Sequence, residues 1–152
     1  MKKTLILVRH ANALSCCAAG VMTDDLRPLS DEGKKKAVFT ANRLSQLNLH
    51  PKKILTSPLL RAVQTSAILA NALATPVTQV SELNGLLPEK ELADFLHKQL
   101  ADTNTLVAVG HNPNFSYLYP LLCGQTNIFA PGSFAVLQKD GDSPWESIHF
   151  GE

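Results

Sequence analysis

Two arginines and two histidines stand where short apolar runs stop. Arg9-His10 closes the run Leu5-Ile6-Leu7-Val8, His111 follows Leu106 to Gly110, and Arg61 lies five residues beyond Ile54-Leu55-Thr56. Taken singly, Arg9-His10 could merely end a strand; the recurrence at three run ends argues for one pocket. Arginine is permanently charged and offers a planar fork suited to phosphate oxygens. Gathering these cations with few acids to pair them is costly without an anionic ligand, and a phosphoryl group fits. An imidazole attacks phosphorus only when neutral, its ordinary pKa is about 6.5, and flanking arginines depress it further. His10 is therefore the expected nucleophile, with Arg9, Arg61 and His111 holding the phosphoryl oxygens.

Those residues need elements that bring them together. Each apolar run reads as a strand buried on both faces, and ligands of open α/β sheets bind beyond the carboxyl ends of such strands. Asn12 to Leu26 has no period and reads as a long loop. A helix then starts at a Ser30 cap with acids in its first turn, with Val38, Ala41 and Leu44 facing inward. Ser57-Pro58 opens a second helix, with Pro58 at its first helical position and Leu60, Val63, Ala67, Ala70 and Leu73 inward; Arg61 falls in its first turn, where free N–H groups favour an anion. Val77 to Leu83 is expected as a strand. Pro88 to Leu100 should be helical with Leu92, Phe95, Leu96 and Leu100 inward, and Asn112-Pro113 caps a helix reaching about Cys123-Gly124. Phe134 to Gln138 and Ser147 to Phe150 read as two closing strands, a hairpin across Asp140-Gly141. Alternating strands and helices imply an α/β fold of three layers, a mostly parallel sheet with helices on both faces.

At 152 residues the chain is expected to form a single domain over 1–152. A formal net charge of +1 argues against nucleic acid and membrane surfaces as partners, so the electropositive site must be local. The apolar stretch after Met1-Lys2-Lys3 is too short for a signal peptide and is interrupted by Arg9. The three cysteines, Cys16, Cys17 and Cys123, make no disulfide framework or metal-ligand spacing, and the expected location is the cytoplasm. A thiol-based phosphatase would need an arginine six residues after a cysteine; those positions hold Met22, Thr23 and Phe129. His50, His97 and His149 lie away from the three strand ends and read as ordinary surface or packing residues. Asn12 and Ser133 could each donate to phosphate, although such residues often only form turns.

Leu-Val-Arg-His-Ala at 7–11, Leu-Thr-Ser-Pro-Leu-Leu-Arg-Ala-Val-Gln-Thr at 55–65 and Val-Gly-His-Asn-Pro at 109–113 resemble the histidine phosphatase superfamily. The short length and the Arg-Pro-Leu-Ser…Gly segment at 27–33 are similar to SixA-type phosphohistidine phosphatases. The resemblance implies a phosphoglycerate-mutase-like sheet, His10 as the phosphorylated residue, and a phosphate pocket of Arg9, Arg61 and His111, with Asn12 as a further phosphate-binding candidate. It implies no metal and no organic cofactor, and a phosphohistidine-bearing protein as partner, of the phosphorelay or phosphotransfer kind. In the superfamily a carboxylic acid near the end of the third strand protonates the leaving oxygen, and Glu82 is the best-placed acid here; the alternative is a solvated strand-end carboxylate. Ala11 stands where many members carry glycine. Asn84 to Thr105 has room for one helix and no lid. Two other functions remain open, a phosphomonoesterase for a small molecule and a phosphate-binding module without catalysis.

Overall fold

In the computed structural model, which describes residues 1–152, the first apolar run extends both ways into β1, Lys2–Arg9. The elements that follow are α1 (Cys16–Ala19), α2 (Asp31–Gln46), β2 (Lys53–Thr56), α3 (Leu60–Leu73), β3 (Val77–Gln79), α4 (Glu89–Gln99), β4 (Thr105–Gly110), α5 (Asn114–Cys123), β5 (Phe134–Asp140) and β6 (Glu146–Gly151), with 3-10 turns at Asp24–Leu26 and Ser81–Leu83. They build one sheet in the order β3-β2-β4-β1-β5-β6. The first four strands of that order are parallel, and β5 and β6 join antiparallel.

Strand alternation divides the core in two. Leu5 and Leu7 of β1 join Leu106, Ala108, Ala135 and Leu137 under α4 and α5, which contribute Leu92, Leu96, Phe115 and Tyr119. Ile6 and Val8 face the other way with Val107, Val109 and Val136, under Ala41 and Leu44 of α2 and Ala62 and Leu69 of α3. The expected three-layer α/β architecture, with helices on both faces, is the one found.

Local details depart from the sequence reading where small and polar residues do the packing. Ser30 caps α2 as expected, its Oγ accepting the Gly33 amide at 3.0 Å. Val38, however, is exposed, and the buried face is Gly33, Ala37, Thr40, Ala41 and Leu44. That face is small because α2 lies against the loop after β1: a Cβ on Gly33 would run into the Asn12 carbonyl. On α3 the buried residues are Arg61, Ala62, Thr65, Ser66 and Leu69, and Ala67 is exposed. Thr65 Oγ1 donates to the Arg61 carbonyl at 2.8 Å, so its polar atom is satisfied within the helix and a hydrophobicity count points one step off. The helix starts at Leu60 rather than Pro58, with Ser57 Oγ accepting the Leu59 amide.

The third strand is shorter than Val77 to Leu83. β3 ends at Gln79, the Val80 amide donates the last bond, to Thr56, and Ser81–Leu83 tightens into a turn that buries Leu83 beneath α4. The stretch from Asn12 to Leu26 is not bare loop. It holds α1, capped by Ser15, and the turn at Asp24, and is pinned by a bridge between Ala13 and Leu29.

Candidate active site

Parallel register alone brings two of the four groups side by side. Arg9 of β1 pairs with Gly110 of β4, so His10 and His111 follow at the same level, their ring centroids 5.0 Å apart. Thr56 pairs with Val109 on the other side of β4, which brings Ser57 and the start of α3 to the same end. From there Arg61, buried in the first turn, reaches His10: its Nε–H donates to Nε2 of the imidazole at 3.3 Å. Arg9 continues the alternation of Leu5 and Leu7 and anchors Nη1 on the Phe129 carbonyl at 2.7 Å. Its Nε is buried, and no protein group accepts that proton.

The ring of His10 is oriented by a group that can only accept. Nδ1 lies 2.7 Å from the Ala11 carbonyl oxygen, so Nδ1 carries the proton and the lone pair of a neutral ring sits on Nε2. The Ala11 amide donates to Thr65 Oγ1 at 3.1 Å, and the His10 amide to the Gly110 carbonyl, which ties the backbone at His10 to both α3 and β4. Burial lowers His10 to about 4, and the nearby guanidiniums of Arg61, Arg9 and Arg27 add to that against the raising effect of the Ala11 carbonyl. His111 is lowered to about 3, by burial first and then by His10 and Arg61. Burial and Arg61 push Arg9 below the usual arginine value. At neutral pH the site holds two neutral imidazoles among fixed cations.

Ser57 does more than end a strand. Its Oγ is 2.7 Å from His111 Nε2 and also accepts the Leu59 amide, so its own proton is free for the imidazole. In the sequence Ser57 reads only as the residue that opens a helix. Asp24 was missed altogether: its carbonyl and carboxylate accept from both Nη atoms of Arg61, at 2.9 and 3.0 Å, and its other carboxylate oxygen accepts from Arg27 at 2.9 Å. The available signal was an acid three residues before an arginine, in a long loop beside a cationic pocket.

The remaining candidates make no side-chain hydrogen bond to these four groups. The Asn12 backbone carbonyl accepts the Ser30 amide and hydroxyl, and its carboxamide makes no hydrogen bond within the protein. Ser133 is fully buried, with its Oγ unpartnered. Glu82 lies in the turn beyond β3, not on the strand, and lines a narrow cleft that also contains His111 and Gly85; it bonds neither imidazole. A surface concavity of about 430 Å³ lies elsewhere, at the other end of β2 and β4 beside Lys53 and Asp102. It gathers none of this chemistry.

Residues 5–86 match the family model of the histidine phosphatase superfamily, branch 1. An uncharacterised protein from a Picosynechococcus strain is 40% identical over 127 residues, covering 80% of this chain and 74% of that protein. The mitochondrial serine/threonine-protein phosphatase Pgam5 of Drosophila yakuba is 42% identical over 65 residues, 43% of this chain and only 21% of that longer protein. Among solved structures, the protein histidine phosphatase SixA complexed with tungstate superposes with a TM-score of 0.87 at 23% identity, over 98% of this chain and 96% of that one. A mycobacterial glucosyl-3-phosphoglycerate phosphatase gives a TM-score of 0.71 at 18% identity, over 97% and 98%. At such identities the structural likeness is one of fold.

Proposed function

The chain belongs to the histidine phosphatase superfamily, and from that premise we propose that it is a metal-independent phosphatase acting on phosphohistidine carried by a protein. The observation that carries the reading is the placement of His10 Nε2. It bears a lone pair, faces the Nε edge of Arg61, and shares its pocket with the unpaired Arg9 Nε.

Nε2 attacks phosphorus, a P–N bond forms on His10, and the bond to the leaving group breaks. Arg9, Arg61 and His111 take up charge on the phosphoryl oxygens as it redistributes. Water then attacks the phosphohistidine, releasing inorganic phosphate and returning His10 to its neutral form. The charge compensation comes from guanidinium groups, which is why the activity is expected to survive chelation.

The leaving group decides the substrate class. A departing imidazole needs less protonation than an alkoxide, and Glu82, although it lines the cleft beside His111, hydrogen-bonds neither imidazole. Phosphohistidine therefore suits the pocket better than a phosphate ester. A protein carrier is supported by the surroundings. Met22, Leu86 and Ile128 are 94, 83 and 76% exposed, and each lies within two residues of a group at the pocket: Asp24, Gly85 and Phe129. Exposed apolar side chains around a phosphate pocket fit docking of a folded partner.

The test is phosphate release, in chelator, from a protein whose histidine has been phosphorylated with phosphoramidate and from p-nitrophenyl phosphate. Wild type should prefer the first, and His10→Ala should lose both activities. Preference for the ester would move the assignment to a small-molecule or serine/threonine phosphatase. Retained activity in His10→Ala would overturn the mechanism.

A further inference from the structure

Arg61 uses its guanidinium in two directions. Its Nε–H reaches His10 Nε2, and Nη2 carries one proton on the same edge, since in a planar guanidinium Nε–H and the adjacent Nη2–H point the same way. Its outer end is occupied by one residue: Nη1 donates to the Asp24 carbonyl oxygen at 2.9 Å and Nη2 to Asp24 Oδ2 at 3.0 Å. Asp24 is in turn held from behind. Arg27 Nη1 donates to Oδ1 at 2.9 Å, while Arg27 Nε donates to the Leu14 carbonyl at 2.7 Å. Both carboxylate oxygens and the backbone carbonyl of one exposed residue are thus engaged around the arginine that faces the nucleophile.

We propose that Asp24 is a positioning residue of the phosphatase site: it grips the outer end of Arg61 so that the Nε/Nη2 edge is presented to a phosphoryl group on His10. This rests on the phosphatase reading above. The geometry explains why a carboxylate is tolerated in a pocket built for an anion. Asp24 takes the end of the guanidinium and leaves the edge, so it sets the fork's direction without filling the phosphate's place. A plain surface ion pair of this exposure, with the Asp24 side chain 61% exposed, would contribute little to stability and nothing to turnover.

Positioning and binding separate in the kinetics. Without the carboxylate Arg61 keeps its charge and gains free donors, so an anion binds as well or better, but the fork is no longer aligned with the developing charge at phosphorus. Asp24→Ala should lower kcat at least tenfold on the phosphoramidate-phosphorylated protein and on p-nitrophenyl phosphate, with KM and the dissociation constant of inorganic phosphate unchanged or smaller. Asp24→Asn keeps an acceptor oxygen for Arg61 and should recover part of the lost kcat. Asp25→Asn, which alters an exposed neighbour that bonds nothing, should match wild type. Thermal unfolding of all variants should stay close to wild type, since the turn is exposed. An unchanged kcat for Asp24→Ala, or a raised KM at constant kcat, would overturn the proposal while leaving the phosphatase reading intact. A wild type inert toward both substrates would overturn that reading, and this inference with it.

Discussion

His10 and His111 are kept neutral by burial first and by neighbouring cations second, lowered to about 4 and about 3. In the unfolded chain both protonate near the ordinary value of about 6.5. Between about pH 6.5 and about pH 4 the unfolded chain therefore holds protons that the native one lacks. Stability is full above that window and falls as pH drops through it, by up to about 1.4 kcal/mol per pH unit for each histidine. Urea denaturation between about pH 7 and about pH 5 should show the decline, and His111→Gln should flatten it by about half. An equal slope in the variant would contradict the depressed pKa of His111. At this scale the meeting of His10, Arg9, Arg61 and His111 at one end of the sheet was legible in the sequence, because each interrupts or follows an apolar run. Asp24 and Arg27 were not, because their loop has no period and their roles depend on where Arg61 arrives.

At the scale of elements, the site is a product of register and of one close approach. The pairing of Arg9 with Gly110 aligns the two imidazoles, and α2 comes near enough to the loop after β1 for the Ser30 amide to donate to Asn12. Gly33→Ala should destabilise the protein by about 2 kcal/mol, even though alanine favours a helix by up to about 1 kcal/mol, because the added Cβ meets backbone rather than a yielding side chain. Chemical denaturation decides it, and a stabilised variant would show that the approach is loose. Thr65→Val leaves the buried Ala11 amide without its acceptor and should cost about 1–3 kcal/mol while lowering kcat through displacement of His10. The central strands β1, β2 and β4 were legible because aliphatic runs on a two-sided core need no alternation, whereas the short, exposed β3 was drawn too long. The inner faces of α2 and α3 were misjudged because alanine, glycine and threonine do the packing there, and hydropathy does not register closeness.

For the whole molecule, a formal net charge of +1 with arginines concentrated at one end of the sheet makes the attraction for phosphate local. No helix is long and apolar enough to cross a membrane. The exposed apolar side chains beside the pocket give the protein-substrate reading its own test. Leu86→Ser and Ile128→Ser together should lower kcat/KM roughly tenfold on the phosphorylated protein and leave p-nitrophenyl phosphate turnover unchanged, about 1.4 kcal/mol of lost docking. Equal losses on both substrates would place these residues in the pocket's support instead. The three-layer fold was evident from the order of elements. The rim was not, since exposed hydrophobics in separate loops become neighbours of one site only in three dimensions.

The central claim is that His10 Nε2 receives the phosphoryl group, and the most direct measurement is to trap it there. Wild type mixed with the phosphoramidate-phosphorylated protein in chelator, quenched in base within one turnover and mapped by mass spectrometry, should carry an acid-labile phosphoryl group on the peptide containing His10. His10→Ala should carry none and release no phosphate. A phosphoryl group on any other residue, or release of phosphate by His10→Ala, would contradict the account.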